Sequence, residues 1–182
     1  MSFRWTPRIS ARAAAAAAGA LALLAAQAAT ASTASAASGL VYKNVASGKC
    51  LDVAGTAAGS CVMQFPCHGG THQQWLPDNG RLKNVETGQC LAIDAGSGEW
   101  GAKLIIWPCN DHWAQKWADQ HTGKWFGGRS TFKIENPNSD PQHQVMRVVD
   151  VPGGTTNNVQ MIAWGWYGGT NQQWTIHNPS EF

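Results

Sequence analysis

The chain has 182 residues, 43% of them hydrophobic and only 13% charged, with 20 glycines, ten tryptophans and five cysteines. Its formal charge of +2 rests on Arg4, Arg8 and Arg12; beyond residue 37, eleven Asp and Glu face ten Lys and Arg. No basic patch remains, which argues against nucleic acid and anionic membranes as partners, and the Gly, Asn, Gln and Trp content suits a loop-rich β protein.

Residues 1–37 read as a secretory signal peptide. A basic start precedes an apolar run from Ala13 to Ala29, and Ala34-Ser35-Ala36 offers a small-residue cleavage site. The run is short and Ala-rich, so cleavage is expected rather than membrane insertion. Residues 38–182, about 145 in number, make one domain of ordinary size. The expected location is secreted and extracellular, where disulfides are the default state of cysteine. With Cys50, Cys61, Cys67, Cys90 and Cys109 the number is odd, so one is left over.

Three copies of one unit follow, at about 40–79, 80–120 and 130–178. The first runs from "KNVASGKCLDVAG" to "FPCHGGTHQQW", the second from "KNVETGQCLAIDAG" to "WPCNDHWAQKW". The third, looser copy runs from "KIENPNSDPQ" to "WGWYGGTNQQW". Each carries an early Asn (Asn44, Asn84, Asn136), an Asp after a short apolar strand (Asp52, Asp94, Asp150) and a closing Gln-x-Trp. The Asp-to-Trp separation agrees within one residue, although "CLDV" against "CLAID" puts Asp94 out of frame. Extra residues between Trp117 and Asp150 are assigned to insertions around "HTGKWFGG" and "NPNSDPQ".

Four short strands are expected per unit. In unit one they lie near 41–45, 50–53, 62–65 and 73–76; in unit two near 81–85, 90–93, 104–107 and 116–119. In unit three they lie near 131–135, 146–151, 160–164 and 173–177. Gly, Asn, Asp, Ser and Pro fill the gaps as turns require. Three four-stranded units predict a closed, pseudo-threefold all-β body, since closure removes exposed sheet edges.

Three Gln-x-Trp copies with "CLDV" early and "C-x-G-G-x-x-Q-Q-W" late resemble the ricin B-type lectin domain, a β-trefoil. The resemblance covers essentially residues 40–176. It implies disulfides Cys50–Cys67 and Cys90–Cys109, with Val148 and Trp166 in their places in unit three and Cys61 as a free thiol. It also implies a sugar site per unit: the early Asp accepts a pair of hydroxyls, an aromatic meets the C–H face, and the pair before the closing Trp adds polar contacts. Unit three offers Asp150, Trp164, Asn171 and Gln172. Unit one offers Asp52, Phe65, His72 and Gln73. Unit two offers Asp94, Trp107 and Gln115, with Ala114 in place of a polar side chain. The expected order is three, then one, then two.

The implied function is a secreted, non-catalytic, monomeric module that binds a glycan of the galactose or xylose type, several weak sites acting by avidity. The alternative is a protein-binding trefoil with lapsed sugar sites. Trp75, Trp117 and Trp174 are expected in the core, and the Gln of Gln-x-Trp as a structural hydrogen-bonder first. Trp100, Trp113 and Trp125 fall outside the repeat, with Trp113 a candidate flank for the unit-two pocket. His68 and His72 lie beside Cys67, but an oxidised cysteine is no thiolate ligand, so no metal and no cofactor are expected. No two carboxylates stand out as a glycosidase pair, and no catalytic residue is assigned.

Overall fold

The computed structural model describes residues 38–137 and 146–182. The leader reading and most of "NPNSDPQ" lie outside the described residues. Twelve strands join one connected sheet system. Repeat one contributes β1 (Val41–Asn44), β2 (Cys50–Val53), β3 (Val62–Phe65) and β4 (Trp75–Asp78). Repeat two contributes β5 (Arg81–Asn84), β6 (Cys90–Ile93), β7 (Ala102–Trp107) and β8 (Ala118–Phe126). Repeat three contributes β9 (Arg129–Asn136), β10 (Arg147–Asp150), β11 (Ile162–Gly165) and β12 (Trp174–His177).

The pairing repeats three times. The last strand of one repeat pairs antiparallel with the first of the next: β4 with β5, β8 with β9, and β12 back to β1. That last pairing closes the ring, so the first and last strands of the domain protect each other's edges. The inner strands form hairpins β2–β3, β6–β7 and β10–β11. These hairpins meet one another through β7–β11 and through the bridges Cys61–Ile105 and Met63–Gln160. The described residues thus form a β-trefoil.

The core follows the same symmetry. Leu51, Leu91 and Val149 are fully buried, as are Trp75 and Trp174, with Trp117 nearly so. Each indole N–H donates to the carbonyl of its own repeat's second strand: Trp75 to Leu51 at 3.1 Å, Trp117 to Leu91 at 3.0 Å, Trp174 to Val149 at 3.4 Å. A buried indole needs such a partner, and these three fix which residues correspond. The set Tyr42, Leu82 and Ile134 breaks the symmetry chemically, because the Tyr42 hydroxyl reaches across to donate to Asp119 at 2.8 Å.

The early asparagines bind the repeats to one another. Asn84 Nδ2 donates to the carbonyls of His72 and Gln74 in repeat one, and Asn136 Nδ2 to that of Trp113 in repeat two. Asn44 Nδ2 donates to those of Asn171 and Gln173 in repeat three. All three are buried, so each side-chain amide finds its acceptors on the preceding Gln-x-Trp loop and ties two repeats together.

Both expected disulfides are present, with Cα–Cα distances of 5.1 Å for Cys50–Cys67 and 5.0 Å for Cys90–Cys109. They tie each second strand to the loop before its closing Trp. In repeat three Val148 is fully buried and Trp166 half-buried, with the Lys133 ammonium 5.5 Å from the Trp166 ring. Cys61 is free and exposed. The Cys90→Ser, Cys109→Ser double variant is expected to lose about 3 kcal/mol of unfolding free energy. Urea unfolding under non-reducing conditions reads this directly.

The insertion "HTGKWFGG" has a structure that turn-rich composition hid. It lengthens β8 and β9 into a hairpin that pairs Trp125 with Ser130 and Phe126 with Arg129, with an irregularity between His121 and Trp125. The hairpin turns at Gly127-Gly128, both with positive φ. It lies against repeat three, where Lys124 Nζ donates to the Gly168 carbonyl at 3.4 Å.

Candidate functional site

Each candidate pocket is framed by the end of a second strand, the end of the third and a single-turn 3-10 helix. These turns are Thr71–Gln73, Trp113–Gln115 and Thr170–Gln172. The hairpin register settles the correspondence. Phe65 lies opposite Cys50, Trp107 opposite Cys90 and Trp164 opposite Val148, so the three aromatics are equivalent.

The same frame makes Asp52, Ala92 and Asp150 equivalent, one residue after the carbonyls that the core indoles engage. Asp94 is therefore not the counterpart of Asp52. It lies two residues farther on, exposed, in a short turn entered after β6. The equal Asp-to-Trp spacing in the sequence misled, because repeat two carries a longer path from its second strand to Trp117. Ala92 stands at the position of Asp52 and Asp150, and Ala114 where repeats one and three have His72 and Asn171.

The Gln of each Gln-x-Trp is a buried brace. Gln73, Gln115 and Gln172 are between 0% and 2% exposed. Each accepts through Oε1 from a loop N–H at 2.9 Å: His68, Asn110 and Tyr167 respectively. Each donates to a carbonyl, of Pro66, Pro108 and Gly165. In repeats one and three the amide also donates 2.7 Å bonds to Asp52 and Asp150, aiming the carboxylate. Gln73 and Gln172 thus orient a carboxylate, while Gln115 has none to orient and lines the repeat-two cavity.

Repeat three collects the fullest set. A pocket of about 200 Å³ is lined by Asp150, Ile162, Trp164, Tyr167 and Asn171, with Pro152 and Gly153 at one wall. Asp150 lies at its base and is 3% exposed. Its Oδ2 accepts from Gln172 and its Oδ1 from Asn171 Nδ2 at 3.1 Å. Burial pushes the Asp150 carboxyl above the usual carboxylate value, and hydrogen bonding from Gln172, Asn171 and Tyr167 opposes that shift. Trp164 is 40% exposed. Its ring is free to take an apolar face while the carboxylate keeps lone pairs for two hydroxyls.

Tyr167 is a pocket residue that the sequence pattern missed. Its hydroxyl donates to Asn171 Oδ1 at 2.9 Å, holding the amide so that Nδ2 faces Asp150 and the Val151 carbonyl. The ring folds back over Gly169, where a Cβ would lie 2.5 Å from the ring and from Asn171 Oδ1. A glycine there is thus a packing requirement. Tyr167 escaped notice because its counterparts, His68 and Asn110, carry no phenol hydroxyl, although all three directly follow the second-cysteine position.

Repeat one keeps the carboxylate with different neighbours. Asp52 is 4% exposed and bonded to Gln73. His68 Nε2 lies 3.6 Å from Asp52 Oδ2. His72 Nδ1 comes within 3.3 Å of the Val53 carbonyl, which is the place Asn171 takes at Val151. Phe65 is half-buried and meets the His68 ring edge-on at 6.2 Å.

Repeat two holds a larger cavity, about 420 Å³, lined by Asp94, Trp107, Asn110, His112 and Gln115. Its size follows from its losses: Ala92 and Ala114 lie in the same lining and fill little of it. Where repeats one and three place Gly70 and Gly169, it places His112, which accepts from the Ala114 N–H at 3.3 Å. Trp113 turns away and packs against the core, with the Arg147 guanidinium 6.0 Å from its ring. It does not flank the pocket. Among the described residues no cluster of His, Cys, Asp and Glu suited to a metal occurs, and no helix is long and apolar enough to cross a membrane.

Residues 37–174 match the family described as the ricin-type β-trefoil lectin domain. A designed threefold-symmetric protein, ThreeFoil, is 26% identical with a TM-score of 0.66, over 76% of this chain and 97% of its own. An exo-β-1,3-galactanase from Clostridium thermocellum is 26% identical with a TM-score of 0.65, over 78% of this chain. This chain spans 30% of that enzyme's. A probable lipoprotein, EnvE, of Salmonella typhimurium is 30% identical over 64 residues, 34% of this chain and 37% of that protein.

Proposed function

Because the chain belongs to the ricin-type β-trefoil lectin domain family and is a carbohydrate-binding module of that kind, we propose that repeat three is its principal sugar site and that the ligand is a glycan of the galactose or xylose type. The observation that carries this reading is Asp150 held at the base of a pocket beside an exposed Trp164, its two oxygens aimed by Gln172 and Asn171. Vicinal hydroxyls donate to the carboxylate, the Asn171–Tyr167 pair reads the sugar's edge, and the indole covers its C–H face. The similarity to a galactan-cleaving enzyme supports a galactose-type unit. Repeat one, with Asp52, Phe65 and His72, is a second and weaker site; repeat two, without a carboxylate at the Ala92 position, contributes least.

In this reading the protein is exported after removal of residues 1–37, works as a monomer and performs no catalysis. Two disulfides fit an oxidising compartment. Two sites on one rigid domain favour polymeric or clustered glycans by avidity. Calorimetric titration with galactose, lactose and xylose tests the assignment. Saturable binding of one of them is expected, reduced about tenfold in Trp164→Ala by loss of the aromatic face. Undiminished binding in Trp164→Ala would move the principal site to another repeat.

A further inference from the structure

We propose that the repeat-three pocket continues into a second sugar subsite built on Trp100, so that the protein reads at least two adjoining residues of one glycan chain. This rests on the sugar-binding reading above. A cleft of about 310 Å³ is lined by Trp100, Trp164, Gly165, Trp166 and Tyr167. It shares Trp164 and Tyr167 with the pocket around Asp150. A chain whose terminal sugar sits against Asp150 therefore has its next residue directed into this cleft.

Trp100 is not a stray surface aromatic. It belongs to repeat two and is brought beside Trp164 by the pairing of β7 with β11 and by the Gly101 N–H, which donates to the Ala163 carbonyl at 3.0 Å. The two ring centroids are 5.7 Å apart at 55°. The two tryptophans seat reciprocally on glycines. A Cβ on Gly165 would come within 2.9 Å of the Trp100 ring, and one on Gly101 within 3.4 Å of the Trp164 ring. Beneath Trp100, the Arg147 guanidinium lies 5.6 Å from the ring centroid and is itself 1% exposed. Trp100 and Trp164 still keep 48% and 40% of their surface in solvent.

Two indoles locked at an angle, each with an open face, suit a chain of linked pyranoses better than one flat ring. Each C–H face finds its own platform, and rigid aromatics lose little entropy on contact. The cleft has no carboxylate of its own, so it adds grip by stacking and leaves recognition of hydroxyls to Asp150.

The test is titration of the wild type, Trp100→Ala and Trp100→Phe with galactose and β-1,3-galactotriose, and with xylose and xylotriose. The wild type is expected to bind the favoured trisaccharide about fivefold tighter than its monosaccharide. Trp100→Ala is expected to abolish that gain with monosaccharide affinity within about twofold of wild type, and Trp100→Phe to keep part of it. A trisaccharide bound no tighter than its monosaccharide overturns the subsite alone, as does a gain that survives Trp100→Ala. Binding of none of the four sugars overturns both readings. Dimerisation in sedimentation that Trp100→Ala abolishes would assign the cleft to a second copy of the chain instead.

Discussion

Asp150→Ala is expected to lower affinity for the repeat-three sugar by roughly 10- to 100-fold while leaving the protein folded, since charge-assisted hydrogen bonds contribute about 1.5–3 kcal/mol. The fold tolerates the change because the donors keep other partners. Gln172 Nε2 still donates to the Gly165 carbonyl, and Asn171 Nδ2 to that of Val151. Linkage points the same way. Burial holds the folded-state pKa of Asp150 above its unfolded value. Between the two, the folded state binds the proton and the unfolded state has released it, so stability falls as pH rises through that window. An ionised Asp150 therefore costs stability at neutral pH, and alanine removes that cost. Binding runs in the opposite sense: the ionised form accepts two hydroxyls, so wild-type affinity declines as pH falls through the raised pKa. Calorimetric titration of wild type and variant at neutral and mildly acidic pH reads both effects. Equal affinity of the two proteins at neutral pH would remove Asp150 from the site.

Trp174→Ala is expected to cost about 3–5 kcal/mol of stability, a large share of the roughly 5–15 kcal/mol that a domain of this size possesses. Trp174 is fully buried, closes repeat three and lies on β12, the strand whose pairing with β1 closes the ring. Its removal opens a cavity and leaves the Val149 carbonyl without its indole donor. Two further effects reach the sugar pocket, because Val149 directly precedes Asp150 and Gln172 lies two residues before Trp174. Urea unfolding measures the loss. A midpoint within experimental error of wild type would mean that the three indoles do not share the core as their burial indicates.

Most of the fold was legible because the repeat signal is redundant. Cysteine-flanked strands such as Cys50–Val53 and Cys90–Ile93 were marked by apolar pattern and by turn residues on both sides. The reach of β8 to Phe126 was not, since the inserted segment pairs only with the start of β9 and has no copy elsewhere. The chemistry of the site was legible in part. Asp52, Asp150, Phe65, Trp107 and Trp164 fall on equivalent strand ends, whereas Asp94 was matched by its distance to Trp117. Register is set by hairpin pairing, and counting from the closing Trp cannot see it. Tyr167 and Trp100 were missed for a related reason: each matters through a neighbour that only tertiary structure supplies, Asn171 for the first and Trp164 for the second.

The indole N–H resonances of the full-length protein offer the most direct measurement. Each tryptophan side chain gives one cross-peak in a ¹H–¹⁵N spectrum, assignable by single Trp→Phe substitutions. Titration with the best-binding sugar is predicted to shift the Trp164 indole first, leaving the buried Trp75 and Trp174 indoles and that of Trp107 in place. A titration that moves Trp107 while Trp164 stays unchanged would contradict the assignment of sugar binding to repeat three.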